Sequence, residues 1–219
     1  MVKNQKFTVN TTDALVAAIV AYRLNQEQVL RFDSAKGITD NKQLILNYFL
    51  NPVDVPDLEE LKELAETIRA SIDHRIMMST LIAEKNNEFL LTVGKTIRDE
   101  KVTTRDFGII SWAPKLYFDN IRNDEIKEEL RGMGISSKHI GQVGKKISIT
   151  FHMTSCKYLR NFDTFMHQGH DGMNNLVMFF NKNRITGGVP ITARVKTHRK
   201  DQKLADSRVT VLNYVKVVE

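Results

Sequence analysis

Two hydrophobic periods divide this chain, and the place where one replaces the other constrains its fold more than any other feature. In the first part apolar residues recur at helical spacing, as in Leu58, Leu61, Leu64, Ala65, Ile68 and Ile72. From Lys146 they alternate instead. Ile147, Ile149, Phe151 and Met153 fall on one face, and Lys146, Ser148, Thr150 and His152 on the other. Gly132, Gly134, Gly141 and Gly144 lie at the change. A stripe with a period near 3.6 cannot be buried as a strand, nor an alternating one as a helix. The pattern therefore predicts an α+β chain, with an α-helical domain over residues 1–140 and a β domain over residues 141–219.

Local signals place the elements. Thr11-Thr12-Asp13 is a cap signal for a helix through Leu15, Ile19 and Tyr22. Pro56-Asp57, with acidic residues in the first turn, starts the Leu58 helix. Asn41 to Phe49 and Glu84 to Ile97 are further helices. Thr103-Thr104-Arg105-Asp106 is another start, and Pro114 suits the first turn of a helix carrying Leu116, Ile121, Ile126 and Leu130. Trp112, Phe107, Tyr117 and Phe118 are expected in the helical core, or as an anchor for a partner protein. In the β part the first strand runs from Ile147. The second is expected near Phe162 to His167 before an Asp171-Gly172 turn, and the third at Asn175 to Phe180. The fourth and fifth are Ile191 onward and the terminal run of Val209, Val211, Val215 and Val217, with Tyr214 and Lys216 between them. Five strands in about 75 residues fit a small closed OB-like barrel.

Hydrophobic residues make up 42% and charged residues 26%, a globular balance without a long apolar run. The Ala14 to Ala21 stretch is too short and too far inside for a signal peptide, and one cysteine, Cys156, suits a reducing cytoplasm. The expected location is cytoplasmic. The net charge of +6 is unevenly placed. Residues 141–219 hold 13 Lys and Arg against 5 Asp and Glu, whereas residues 1–140 hold 19 against 21. A basic domain beside a near-neutral one predicts a polyanion-binding half.

The candidate binding residues follow from that asymmetry. Lys157, Tyr158, Arg160 and Phe162 are expected in the connection after the first strand, where an OB barrel has one binding loop. Arg194, Lys196, His198, Arg199, Lys200 and Lys203 cluster about the last hairpin, where it has another. Lys145, Lys146, Tyr214 and Lys216 complete the set. Cationic grooves track phosphates and aromatic rings stack on bases, and neither needs a particular sequence. The alternative is that the lysines only solubilise a hairpin and that Tyr158, Phe162 and Phe165 are core.

Catalytic and metal signals are thin. His152, Cys156, His167 and His170 include zinc-ligand types, but no Cys-x-x-Cys pair accompanies them. Asp163 and Asp171 lack a third carboxylate for magnesium. VGKTIR at residues 93–98 is similar to the end of a phosphate loop but has no upstream glycine. The chain is read as a non-enzyme with no cofactor and no metal.

Three stretches carry a resemblance. GQVGKKISITFHMTS, then DGMNNLVMFF, then ITARVKTHR followed by SRVTVLNYVKVV, match at Gly141, Val143, Gly144 and Lys145, and at Asp171, Gly172, Phe179 and Phe180. Val195, Lys196, His198, Thr210, Leu212, Val215 and Lys216 continue the match. This pattern, over about the last 80 residues, resembles bacteriophage OB-fold-like single-stranded nucleic-acid-binding proteins. Gly172-Met173-Asn174-Asn175 stands where that pattern has a simple Gly-Asn, so a longer turn is expected. The resemblance implies non-catalytic binding of single-stranded DNA, or RNA, in phage replication or recombination. The other reading is a protein-interaction module for a replication or host protein. The helical half is expected to self-associate, as a homo-oligomer, or to dock a replication or recombination partner, and no membrane partner is expected.

Overall fold

The computed structural model describes residues 7–51, 56–81 and 88–218. The chain forms two compact units, Met1–Ile121 and Arg122–Glu219, so the division precedes the glycine cluster. Among the described residues no helix is long and apolar enough to cross a membrane.

The first unit contains β1 (Thr8–Asn10), α1 (Thr11–Leu24), α2 (Asn41–Leu50), α3 (Leu58–Leu81), α4 (Glu88–Arg98), β2 (Lys101–Thr103) and α5 (Phe107–Ile110). α6 (Ala113–Gly134) begins in it, and the division falls within that helix. α1 is capped by Asn10, whose side chain accepts from the Thr12 amide at 2.8 Å, one residue before the cap signal expected. Its alanines let neighbours approach on nearly every side, and Ala14, Leu15, Val16, Ala17, Ala18 and Ile19 are all buried. α3 buries Leu61, Ala65, Ile68, Ile72 and Ile76, the helical stripe continued. Phe107 joins Phe7 and Phe49 in one aromatic cluster, with Trp112 and Tyr117 packed against the same core. Phe118 stacks on Tyr22 at 5.7 Å. The Glu84 helix start lies partly outside the described residues. An all-helical reading of this half is incomplete, because β1 pairs antiparallel with β2 through Val9 and Val102. Three-residue strands are too short to produce a legible alternation.

The second unit holds β3 (Lys146–Leu159), β4 (Thr164–His170), β5 (Leu176–Asn181), β6 (Val189–Asp201) and β7 (Ser207–Val217). They are hydrogen-bonded in the closed order β3-β4-β5-β7-β6, with β5 and β7 parallel and the other neighbours antiparallel. β3 closes the sheet by serving two partners: Lys146 to Phe151 pair with β6, and His152 to Leu159 with β4. The change of partner coincides with a register shift between Met153 and Ser155. Gly169 is needed there, because a Cβ on it would lie 2.0 Å from the His152 carbonyl oxygen.

Two apolar clusters sandwich this sheet. Phe151, Val177, Phe179, Ile191, Ala193, Val195 and Leu212 form one. Leu176, Met178, Val209 and Val211 form the other with Leu130, Ile126 and Met133 of α6. β5 and β7 are therefore covered on both sides, which explains why Leu176 to Phe179 is continuously apolar.

Three strand expectations need correction. β3 continues through Leu159, so Lys157 and Tyr158 are strand residues rather than loop residues. Phe162 lies in a 3₁₀ turn, Arg160–Phe162, and β4 begins only at Thr164. Val209, Val211, Val215 and Val217 do not share a face, because Val209 and Val211 pack under α6 while Leu212 and Val215 belong to the other cluster. The cause is a β-bulge. Thr192 pairs with Lys216 and Arg194 with Asn213, so three steps on β7 oppose two on β6. An extra residue moves every following side chain to the opposite face. The offset is undone between Val195 and Thr197, which oppose Leu212 and Val211, leaving Lys196 as the extra residue on β6.

Candidate nucleic-acid interface

The two bulges present the most distinctive surface of the second unit. Tyr214 sits in the first of them at φ 52°, a left-handed conformation costly for any side chain. Among the described residues it is the one non-glycine with positive φ that lies inside a strand. Tyr214 is 75% exposed, and the Arg194 guanidinium lies over its ring, 5.9 Å from the centroid. Lys146, Thr192, Ala193, Arg194, Tyr214 and Lys216 line an open cleft of about 380 Å³. Lys146 and Arg194 are direct cross-strand partners on the same face. Like charges placed opposite one another destabilise a sheet. No ion pair to a carboxylate relieves Lys146, Arg194, Lys196 or Lys216 among the described residues. Lys145 precedes them, its carbonyl accepting from the Val195 amide at 3.0 Å, which anchors the start of β3 to the second bulge.

β6 carries positive charge onward to its hairpin, about 20 Å from Arg194 to Lys200 at about 3.3 Å per residue, although the Lys196 bulge turns Lys200 to the opposite face from Arg194. Lys200 again faces a cation, Arg208, its direct partner on β7. Arg199, Lys200, Asp201, Gln202, Lys203 and Asp206 line a second open cleft of about 550 Å³. The members of that cleft are unequal. Arg199 is ion-paired with Asp201 at 2.9 Å, and Asp201 also accepts from the Lys203 amide at 3.1 Å, closing the turn. His198 is not an open ligand group either. It stacks on His139 at 4.4 Å, and its Nε2 lies 3.3 Å from the Ile140 carbonyl. Burial holds the His139 imidazole below its ordinary range, with His198, Arg208 and Lys200 adding to the effect. His139 and Arg208 were not among the sequence candidates. The only signal for them was basic character, since their partners are remote along the chain.

Lys157, Tyr158, Arg160 and Phe162 form a third group, at the connection of β3 and β4, and line neither cleft. Tyr158 donates to the Asp163 carboxylate at 2.6 Å and lies 5.0 Å from Phe165, which sets its ring. Phe162 is 76% exposed and therefore not core. Phe162→Ala is expected to leave thermal stability within about 0.5 kcal/mol of the parent in a melting experiment.

The remaining candidates have structural employment. Asp171 is buried and accepts from the amides of Met173 and Asn175 and from Asn175 Nδ2, at 2.8 to 2.9 Å, so it organises the longer turn. VGKTIR is helical within α4, where Gly94 admits Ile76. His152 and His170 stack at 5.0 Å as cross-strand partners, while Cys156, opposite His167, has a half-buried thiol whose pKa burial pushes up. Among the described residues no three His, Cys, Asp or Glu side chains are placed to hold a metal ion.

His167 is fully buried, stacked on Phe179 at 4.7 Å, and its Nε2 accepts from the Ile185 amide at 2.9 Å. An accepting nitrogen carries no proton, so the folded state holds a neutral ring. Burial keeps its pKa below the ordinary value, with Arg184 adding to the effect against a raising hydrogen bond to the Phe165 backbone. The stability this provides is complete above the unfolded pKa of about 6.5 and is lost as pH falls from there toward the lower folded value. Melting temperature is expected to fall between pH 7.5 and 5.5, and His139→Gln/His167→Gln to flatten that dependence. An unchanged slope in the double variant would exclude both rings as its source.

No protein-family model, curated protein or solved structure matches the chain.

Proposed function

We propose that the second unit is an OB-like barrel that binds single-stranded nucleic acid without catalysis, in a phage-like replication or recombination setting. The observation that carries this reading is the pair of exposed like-charged cross-strand contacts, Lys146 with Arg194 and Lys200 with Arg208, which the Lys196 bulge places on opposite faces of β6. A hairpin shaped only for solubility mixes its charges. Cations held opposite cations acquire a compensating gain when a polyanion occupies the surface. The strand order supports the OB comparison, since a bent first strand shared by two neighbours and a parallel third and fifth strand are how such a barrel closes. The exposed aromatics Tyr214, Phe162 and Tyr158 supply stacking surfaces beside the cations.

The test is a titration of fluorescent oligo(dT) and oligo(U) with the full chain, with duplex DNA as control, over a series of salt concentrations. Preference for single strands and a linear fall of log affinity with log salt are expected. Equal binding to duplex, or affinity independent of salt, would overturn the reading.

A further inference from the structure

The cleft at the Tyr214 bulge has more definition than a charged surface requires. We infer that it is a subsite for a short stretch of single strand, one base stacked on Tyr214 and the successive phosphates around it held by Lys146, Arg194 and Lys216. The inference rests on the single-strand reading and specifies which residues make its base contact.

Three observations carry it. The first is backbone strain. A glycine at position 214 would adopt φ 52° freely, whereas a tyrosine does so at a penalty, and the bulge turns it out to 75% exposure. Strain of this kind marks a place where a side chain is needed for something other than packing. The second is the arrangement of charge. Arg194 covers one face of the ring at 5.9 Å, while the exposure leaves an opposite face open. Lys146 and Lys216 border the same cleft. A flat apolar ring beside three cations complements a base and the successive phosphates around it. An acidic peptide would satisfy the cations and leave the ring unused. The third is size. About 380 Å³ falls in the range of small-ligand clefts. The face of a base is inaccessible inside a duplex, so the ligand is a single strand. The inference also moves the base contact from Tyr158 and Phe162, at the β3–β4 connection, to a residue within a strand.

The experiment compares Tyr214→Phe, Tyr214→Leu and Tyr214→Gly with the parent full chain, using oligo(dT) affinity across a salt series and a thermal melt of each. Tyr214→Phe is expected to bind as the parent does. Tyr214→Leu is expected to lose about 10-fold in affinity with an unchanged salt slope, because stacking releases no counterions. Tyr214→Gly relaxes the backbone, so it is expected to melt at or above the parent temperature while losing affinity to the same degree. That combination excludes misfolding as the cause. Parent-like affinity in both Tyr214→Leu and Tyr214→Gly, with the parent binding oligo(dT), would overturn the subsite and leave the single-strand reading standing. A parent chain that fails to bind oligo(dT) would overturn both.

Discussion

Alanine in place of Lys146, Arg194 and Lys216 together is expected to weaken oligo(dT) binding roughly a hundred-fold at about 0.1 M salt. Each phosphate contact on a single strand contributes ~0.7 to the salt slope, so three contacts remove about 2 from it. A slope change of 2 is, at about 0.1 M salt, two decades of affinity relative to molar salt, where the counterion contribution vanishes. The same substitutions separate Lys146 from the like charge it faces on β6. Stability is therefore expected to stay level or rise slightly, opposite in sign to the affinity. That divergence is the useful part of the measurement, because a merely damaged barrel loses both. Anisotropy titrations at several salt concentrations, with a melt of the same preparation, read the two effects separately. Unaltered affinity and slope would reduce these cations to a solubility feature.

The largest expected effect on stability comes from Phe179→Ala. Phe179 is fully buried, edge-on to Phe151 at 4.8 Å and stacked on His167 at 4.7 Å. Its removal deletes both ring contacts and leaves a cavity in the cluster that four strands share, which costs about 3–5 kcal/mol. That is a large part of the ~5–15 kcal/mol that holds a domain folded. For a unit of this size the melting transition of the barrel is expected to drop by roughly 15–30 °C in calorimetry. A shift below about 5 °C would mean that Phe179 does not sit at the centre of the core. Its neighbour Phe180 is 45% exposed, so Phe180→Ala is a control expected to shift the transition far less.

Much of the architecture is legible in residue order. α3 follows from the spacing of Leu61, Ala65, Ile68 and Ile72, because a helix brings residues three and four apart onto one face. The first half of β3 follows in the same way from Ile147, Ile149 and Phe151. The Thr11-Thr12-Asp13 signal marks the start of α1 to within one residue, since Asn10 caps it through a local bond to Thr12. Phe162, by contrast, is an aromatic among aromatics in sequence, and only its 76% exposure separates it from Phe179. β1 and β2 pair across more than ninety positions, and nothing local to either announces the other.

By itself, then, the order of residues determined the helical and β halves, the elements with a sustained period, and the concentration of positive charge in the last third. These are properties of near neighbours, and near neighbours are adjacent in the sequence. Only the tertiary structure decided which cations face one another, that His198 is stacked on His139, and that Tyr214 leaves the sheet while Val215 enters its core. Each of these depends on strand register, and register is set by partners far along the chain. A single extra residue opposite Thr192 and Arg194 reverses the face of everything after it, and alternation read along β7 alone carries no mark of that insertion.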